Sequence, residues 1–426
     1  MSRPSSASRC GVCQVMISLV LFATAMLFVV AAVDPASAQT FITIHKFTSS
    51  PDGSSPFGGL VADSQGNYYG TTQFGGTSNN GTVFELSPPA VGGVHWTESV
   101  IWSFAGHSDG ASPSYQLLID AKGNLYGETQ YGGNACSCGT VFALLPPKTT
   151  GGPWTKLVLY ASSGSGGYIS DALIVDRSGT MYGTQYLGGT YSSGQAFKVA
   201  PATGGGFTGT VLYNFGVTGT DSKEPYGPLT LDSNGSLYGV SNIGGTNDLG
   251  TVFRLTPPAG GGGDWSNTVL YSFPGAGAGC NPAGNIILDQ AGRLYGQATS
   301  CGGTADRGVI FRLSPPTGSG PWTESVLHTF SSADGGGPYP SLILDAKTNV
   351  FYGTSFWGGG YGVVFQLKPP AGGAGTWIER VIHTFTGLSD GDGPLGPMVW
   401  DANGVLYGTA YYGAAVGHGT AFSIVP

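Results

Sequence analysis

Residues 229–273 read LTLDSNGSLYGVSNIGGTNDLGTVFRLTPPAGGGGDWSNTVLYSF, and this stretch contains the unit from which the rest of the chain is built. Four apolar pieces rich in Leu, Val, Tyr, Phe and Thr are separated by Asp-Ser-Asn-Gly, Gly-Gly and Pro-Pro segments. Short apolar runs bounded by such turn residues are typical of β-strands. No part of the chain after residue 38 shows a helical period with capping residues. The unit therefore predicts four consecutive strands.

The dipeptide Tyr-Gly of the second piece recurs at a regular interval along the chain. Its seven copies are Tyr69-Gly70, Tyr126-Gly127, Tyr182-Gly183, Tyr238-Gly239, Tyr295-Gly296, Tyr352-Gly353 and Tyr407-Gly408. Successive glycines are 55 to 57 residues apart, and a fixed period of this length indicates a repeat architecture. A single small sheet is marginally stable, whereas stacked sheets bury both faces. The sequence predicts an all-β, seven-bladed β-propeller with four strands per blade.

The two ends of the repeat array predict how the ring closes. Residues 41–47 match the fourth strand type, while the last unit ends after its third strand, at residues 421–424. Pairing these segments removes two open sheet edges. We therefore expect the N-terminal strand to complete the last blade. The predicted domain spans residues 39–426, with units near 56–104, 113–160, 169–215, 225–273, 282–330, 338–385 and 394–426 plus 41–47.

The first 38 residues have the features of a secretory signal. Arg3 and Arg9 precede an apolar run over residues 15–33, and Ala36-Ser37-Ala38 forms a small-residue cleavage site. The run is long enough that an uncleaved membrane anchor stays open as an alternative to cleavage. We expect a secreted, periplasmic or cell-surface protein with no membrane span in the mature chain.

The amino-acid composition and net charge limit the classes of molecule that the protein is expected to bind. Glycine accounts for 75 of 426 residues, charged residues for 9% and aromatic residues for 12%. Removing residues 1–38 takes away two arginines and one aspartate, so that the net charge changes from −8 to −9. An acidic chain without a basic cluster argues against nucleic acid and against anionic membrane surfaces. The sequence predicts a monomer whose partner is an extracellular glycan or a surface protein, with no cofactor.

The repeated motifs resemble those of a known family. The pieces Leu-Tyr-Gly-Thr, Gly-Gly, Gly-Thr-Val-Phe-x-Leu and Pro-Pro are similar to the tandem repeats of bacterial choice-of-anchor proteins of the GloVer type, over residues 41–426. This resemblance implies export and a propeller-like array. It implies no site residue, because the family is functionally uncharacterised.

The sequence contains no catalytic motif such as His-Glu-x-x-His, Gly-x-Ser-x-Gly or a phosphate-binding loop. Two unusual carboxylates are weak catalytic candidates. Glu128 occupies a slot that is threonine in four other units, and Asp171 lies in the innermost strand of the next unit. A carboxylate near the channel mouth could serve acid–base chemistry. The alternative is a solvated or hydrogen-bonded substitution without a role in chemistry.

A binding surface is expected on one face of the disc. The Asp-Gly loops that enter each innermost strand should share that face with the Gly-Gly loops, around the channel mouth. Two residues precede each Gly-Gly loop. The first slot supplies our binding candidates, which are Gln73, Gln130, Tyr186, Phe356 and Tyr411. For the second slot, which holds Phe74, Tyr131, Trp357 and Tyr412, we expect packing between blades, because Leu187 and Ile243 share it.

The residues at two further repeat positions can be interpreted either as metal ligands or as structural residues. His45, His328 and His383 share one slot of the fourth strand with Trp and Tyr residues, which favours half-buried packing. An aspartate precedes the first turn in all seven units: Asp63, Asp120, Asp176, Asp232, Asp289, Asp345 and Asp401. Its side chain is expected to accept backbone N–H bonds, because a calcium loop needs several carboxylates. The sequence therefore predicts no metal.

Four cysteines follow the signal segment. Cys280 lies just before a first strand and Cys301 just after its antiparallel partner, so we predict a disulfide between them. Such a bond is worth about 3 kcal/mol for a loop of this size. Cys136 and Cys138 share one Gly-Gly loop, and their state is left open.

Three functions compete on this evidence. Because every recognisable feature is structural, the sequence favours a secreted, non-catalytic binding or scaffold propeller, with recognition of extracellular carbohydrate as its specific form. The alternative is a polysaccharide-degrading hydrolase or lyase with acidic residues at the channel mouth, supported by Glu128 and the surface aromatics. A purely structural surface protein is the third.

Overall fold

The computed structural model describes residues 39–426 apart from 91, 92, 94, 150, 163–166, 170, 261, 262, 304, 340, 341, 374 and 415, and these residues form one compact unit. The proposed signal segment, residues 1–38, lies outside the described residues. Seven antiparallel sheets succeed one another along the chain and form a ring. The predicted seven-bladed β-propeller is thus confirmed. Within the described residues, no helix is long and apolar enough to cross a membrane.

Each blade runs from the channel outward in chain order. Blade 1 contains Val61–Ala62, Tyr68–Thr72, Thr82–Ser87 and Thr97–Ser103. Blade 2 contains Leu118–Ile119, Leu125–Thr129, Thr140–Leu145 and Thr155–Ala161, and the short 3₁₀ helix His107–Asp109 precedes it. Blade 3 contains Ile174–Val175, Met181–Gln185, Gln195–Pro201 and Phe207–Asn214.

In blades 4 and 5 the innermost strand is split into two parts. Blade 4 contains Ser222–Pro225, Thr230–Leu231, Leu237–Gly244, Thr251–Thr256 and Ser266–Ser272. Blade 5 contains Cys280–Pro282, Ile287–Leu288, Leu294–Ser300, Val309–Ser314 and Thr323–Thr329.

Blade 6 contains Ile343–Asp345, Val350–Ser355, Val363–Lys368 and Ile378–Thr384. Blade 7 contains Val399–Trp400, Leu406–Ala410 and Thr420–Ile424, with Phe41–Lys46 as its outer strand.

The ring closes through the N-terminal strand, as predicted. Phe41–Lys46 pairs antiparallel with Thr420–Ile424, so that Phe41 faces Ile424 and Lys46 faces Thr420. The first and last strands of the described residues therefore share one sheet. This pairing covers an edge that would otherwise be open to other strands.

The hydrophobic core lies between blades. One buried cluster joins Val83 of blade 1 to Leu125 and Phe142 of blade 2. Another joins Ala196 of blade 3 to Leu237 and Phe253 of blade 4. Burial on both faces of each sheet explains why strands with few charges are stable here.

The recurrent aspartate organises the turn between the first and second strands. Asp63 Oδ1 accepts the backbone N–H groups of Gln65 and Asn67 at 2.8 and 2.9 Å, and Oδ2 accepts the Tyr69 hydroxyl at 3.1 Å. Burial raises the pKa of Asp63, but hydrogen bonds from Asn67, Gln65 and Tyr69 outweigh it and hold that pKa below its usual value. The structure therefore fits the expected turn, and it adds the tyrosine of the Tyr-Gly motif as a partner.

Candidate functional site at the channel mouth

The Asp-Gly and Gly-Gly loops meet on one face of the disc. Isolated β-bridges join Ser54 to Phe74 in blade 1, Ala111 to Tyr131 in blade 2 and Asp392 to Tyr412 in blade 7. Each bridge ties the start of an innermost strand to the residue just before a Gly-Gly loop. We call this surface the loop face.

Aromatic side chains fill the channel beneath the loop face. The Phe57 ring lies edge-on to Tyr115 at 5.4 Å and to Tyr339 at 6.3 Å. The hydroxyls of Tyr226 in blade 4 and Tyr339 in blade 6 are 2.6 Å apart. The cavity beside these residues has a volume of only about 20 Å³, which is room for a single water molecule. A ligand on this face therefore meets a surface with a closed centre.

Sequence reasoning missed this aromatic plug. The plug consists of Phe57, Tyr115, Tyr226 and Tyr339, and all of them except Tyr115 directly follow a proline that recurs at the start of the innermost strand. The residue after this proline is serine, alanine or leucine in other units. Only the arrangement of the blades around the channel therefore shows that these rings meet. The recurrent proline was the available signal.

Three of the five first-slot residues form one hydrogen-bonded chain beside the plug. Tyr411 donates its hydroxyl to Gln73, whose amide nitrogen donates to the Gln130 carbonyl oxygen at 3.2 Å. Tyr186 lies apart from them, stacked on Tyr168 at 5.6 Å. Of the five binding candidates, the structure thus connects three by hydrogen bonds.

The remaining two candidates are held by neighbouring side chains. The Tyr186 hydroxyl donates to Glu224, and burial, followed by Glu224, raises the pKa of Tyr186. Phe356 lies edge-on to Trp357 at 5.6 Å. Tyr186 and Phe356 are half-buried, as are Gln73, Gln130 and Tyr411.

The second-slot aromatics are exposed, so the expectation that they wedge between blades is wrong. The exposed fractions are 39% for Phe74, 46% for Tyr131, 47% for Trp357 and 44% for Tyr412. These residues belong to blades 1, 2, 6 and 7, which are consecutive around the closed ring. Leu187 and Ile243, which suggested packing, are half-buried in blades 3 and 4. The loop face therefore carries an arc of four exposed aromatic rings, which we call the aromatic arc.

The two candidate carboxylates are neighbours, but they lie below the surface. Glu128 and Asp171 are each only 2% exposed. Burial, followed by the nearby Asp171 carboxylate, raises the pKa of Glu128 well above its usual value. Asp171 accepts hydrogen bonds from the Thr184 hydroxyl and the Gly227 backbone N–H. Neither carboxylate oxygen of Glu128 has a hydrogen-bond partner among the described residues, so the two acids interact through charge below the loop face.

The four cysteines among the described residues are paired. Cys280 is bonded to Cys301, which is the predicted pair, and Cys136 is bonded to Cys138, whose state the sequence left open. Cys301 occupies the second slot of blade 5. Blades 3, 4 and 5 therefore lack an exposed aromatic at this position.

The histidines of the fourth-strand slot lie at the rim of the disc. His45, His328 and His383 are half-buried, and each ring lies edge-on to the phenylalanine two residues later, at 4.7 to 4.8 Å. This is the expected packing. Each histidine Nε2 also lies 3.1 to 3.2 Å from an aspartate of the following Asp-Gly loop, a contact that the sequence did not reveal.

Comparison with solved structures finds matches of little sequence identity, of which an ulvan lyase shows the same fold. A polysaccharide lyase of family PL25, an ulvan lyase, is 12% identical, with 90% of this chain and 95% of that chain covered and a TM-score of 0.54. A protein of unknown function from Dyadobacter fermentans is 11% identical over 91% and 98% of the two chains, with a TM-score of 0.48. The Trypanosoma rangeli sialidase is 12% identical over 91% of this chain and 59% of that chain, with a TM-score of 0.45. At such identities the likeness concerns the fold alone.

Sequence comparison identifies the repeats directly. No curated protein matches the chain. The model of the Gloeobacter/Verrucomicrobia repeat matches three overlapping segments, residues 29–232, 91–298 and 225–426. Together with the seven-bladed fold, these matches show that the chain belongs to the Gloeobacter/Verrucomicrobia repeat family.

Proposed function

We propose that this protein is a secreted, non-catalytic binding propeller that recognises extracellular carbohydrate on its loop face. The observation that carries the proposal is the aromatic arc, in which four consecutive blades each present a ring to solvent. Exposed aromatic residues on a soluble domain mark interaction sites when they cluster. Here they occur at one repeat position and on one face.

The chemistry of the arc suits a neutral polysaccharide. Aromatic faces stack on the C–H surfaces of sugar rings, and the amide groups of Gln73 and Gln130, on the channel side of the arc, can hydrogen-bond sugar hydroxyls. The cavity beside the aromatic plug has a volume of only about 20 Å³, which is too small for a sugar ring, so an extended chain lying across the blades fits better. The net charge of −9 after signal removal disfavours anionic ligands.

A glycan array tests this function. The purified protein should bind a subset of neutral polysaccharides, and Trp357→Ala combined with Tyr131→Ala should weaken binding at least tenfold. Tyr191→Ala is the matched control, because Tyr191 is 49% exposed and lies in blade 3, outside the arc. Equal loss in the control, or full binding by the double variant, would count against the arc.

The alternative is a polysaccharide-degrading hydrolase or lyase that uses Glu128 and Asp171. The proximity of these two carboxylates favours it, since paired acidic groups serve glycoside cleavage. Their burial and the 20 Å³ cavity oppose it. Release of reducing ends or unsaturated sugars that is lost in Glu128→Gln would support the enzyme, whereas binding without product release supports the binding propeller.

A further inference from the structure

Among the described residues, the rim of the disc repeats one arrangement at four of the junctions between blades. The arrangement consists of three residues. The first is the histidine or aromatic residue near the end of an outer strand, the second is the aspartate of the loop that follows, and the third is the glutamate, lysine or asparagine near the start of the next blade's outer strand. At the junction of blades 1 and 2 these are Trp102, Asp109 and Lys156. At the junction of blades 3 and 4 they are Tyr213, Asp221 and Asn267.

These two junctions satisfy the aspartate with hydrogen-bond donors. Lys156 Nζ lies 2.8 Å from Asp109 Oδ1, and Trp102 Nε1 donates to Asp109 Oδ2 at 3.3 Å. Asn267 Nδ2 donates to Asp221 Oδ1 at 2.7 Å. The buried Asp221 and the half-buried Asp109 are stable in such surroundings because donors or a cation compensate the charge of the carboxylate.

Two other junctions place a second carboxylate where those donors stand. The first triad is His45, Asp52 and Glu98, between blades 7 and 1, and the second triad is His328, Asp334 and Glu379, between blades 5 and 6. In each triad one ligand atom from every residue lies within 4.8 Å of the other two. The histidine Nε2 and the aspartate Oδ2 are 3.2 Å apart in the first triad and 3.1 Å apart in the second.

Both triads contain oxygens without a hydrogen-bond partner among the described residues. In the first triad, Asp52 is 8% exposed, and its Oδ1 and the Oε1 of Glu98 are buried and unpaired. In the second triad, Glu379 Oε1 is buried and unpaired. Without a cation, the two carboxylates of each triad face one another with only an imidazole beside them, so their negative charge is not compensated.

We propose that each triad binds one divalent metal ion of the Zn²⁺ type through one histidine nitrogen and two carboxylate oxygens. Three protein ligands of this composition, with a water molecule as the fourth, suit zinc. Thr48 supports the first triad, because its backbone N–H and its hydroxyl donate to Asp52 Oδ2 at 3.0 and 3.2 Å. Such hydrogen bonds orient metal-binding carboxylates.

The position of the first triad gives the ion a structural role. His45 belongs to the closing strand of blade 7, Asp52 to the loop that follows and Glu98 to the outer strand of blade 1. One ion would therefore fasten the N-terminal strand to the neighbouring blade. The junction of blades 6 and 7 lacks this arrangement, because Phe41 takes the glutamate position and stacks on His383 at 3.7 Å.

Calorimetric titration of the metal-free full-length protein with ZnCl₂ tests the proposal. We expect two ions per chain, one in Glu98→Gln and none in the double variant Glu98→Gln with Glu379→Gln. His383→Gln is the matched control and should keep two. Absence of binding by the wild type, or two ions in the double variant, would overturn the proposal.

A second measurement does not depend on the glutamine variants. Glu98→Lys copies the Asp109–Lys156 pair, so it should raise the melting temperature measured in EDTA and remove the response to Zn²⁺ at the first triad. If the wild type melts at the same temperature in EDTA and in Zn²⁺, a proton rather than a metal neutralises the cluster and the proposal fails.

Discussion

Gly239 faces Phe253 across two neighbouring strands of blade 4, and a β-carbon on Gly239 would lie 2.6 Å from the tip of the Phe253 ring. The same glycine–phenylalanine pair occurs in every blade, with distances of 2.5 to 2.8 Å. The Tyr-Gly motif therefore has two separate purposes. Its tyrosine contacts the turn aspartate in blades 1 to 5, and its glycine makes room for the ring that fills the core between blades.

Replacing Gly239 with alanine should destabilise the protein by about 1–3 kcal/mol, which is the usual cost of overpacking a core. Without the clash, alanine would stabilise a strand by about 0.5–1 kcal/mol relative to glycine, so the sign of the change is informative. Denaturant unfolding measures it. Gly219→Ala is the control, because a β-carbon there meets no atom within 4 Å. A stabilised Gly239→Ala protein would show that Phe253 can move aside.

The fold could be predicted because the strand and turn motifs that define it are local in sequence and recur in every unit. Residues 41–47 resemble a fourth strand, and the last blade lacks a fourth strand of its own. The sequence therefore leaves one position in the ring for this segment. The candidate site was harder to predict from the sequence than the fold. The aromatic plug depends on which residues point toward the axis, and Tyr226 and Tyr339 are 113 positions apart.

The exposed arc and the rim triads were both missed. Leu187 and Ile243 suggested that the second slot is buried, and both are half-buried, whereas Trp357 and Tyr412 are 47% and 44% exposed. Glu98 looked like an ordinary strand residue, because nothing in the sequence shows that it faces Asp52 of the preceding loop.

The closing strand offers a prediction with a control on the same strand. Ile44 is 9% exposed and packs with Phe47, Leu60 and Phe84, whereas Ile42 is 51% exposed. Ile44→Asp should lower the melting temperature sharply, because an unpaired charge would enter the core between blades 7 and 1. Ile42→Asp should leave it within a few degrees. Removal of residues 41–46 should have a larger effect than either, and unchanged melting after that deletion would contradict closure by this strand.

Glu128 predicts a pH dependence of stability. Its pKa in the folded protein is raised, so the folded state keeps the Glu128 proton at pH values where the unfolded chain, with a pKa of about 4.3, has lost it. The stabilisation is complete below that unfolded value and is lost as the pH rises toward the folded pKa. Glu128→Gln cannot lose a proton, so its advantage over the wild type should be small at pH 4 and should grow as the pH rises.

Melting temperatures of Glu128→Gln and the wild type between pH 4 and 9 measure this effect. Burial also raises the pKa of Glu98, Glu324 and Glu379, so the difference between the two proteins is the informative quantity. Each unit by which the folded pKa exceeds the unfolded one corresponds to about 1.4 kcal/mol of that difference. Glu85→Gln is the control, since Glu85 is half-buried and accepts a hydrogen bond from the Ser87 hydroxyl at 3.1 Å. A difference that stays constant with pH would mean that the Glu128–Asp171 pair is already solvated, which would also reopen the enzymatic alternative.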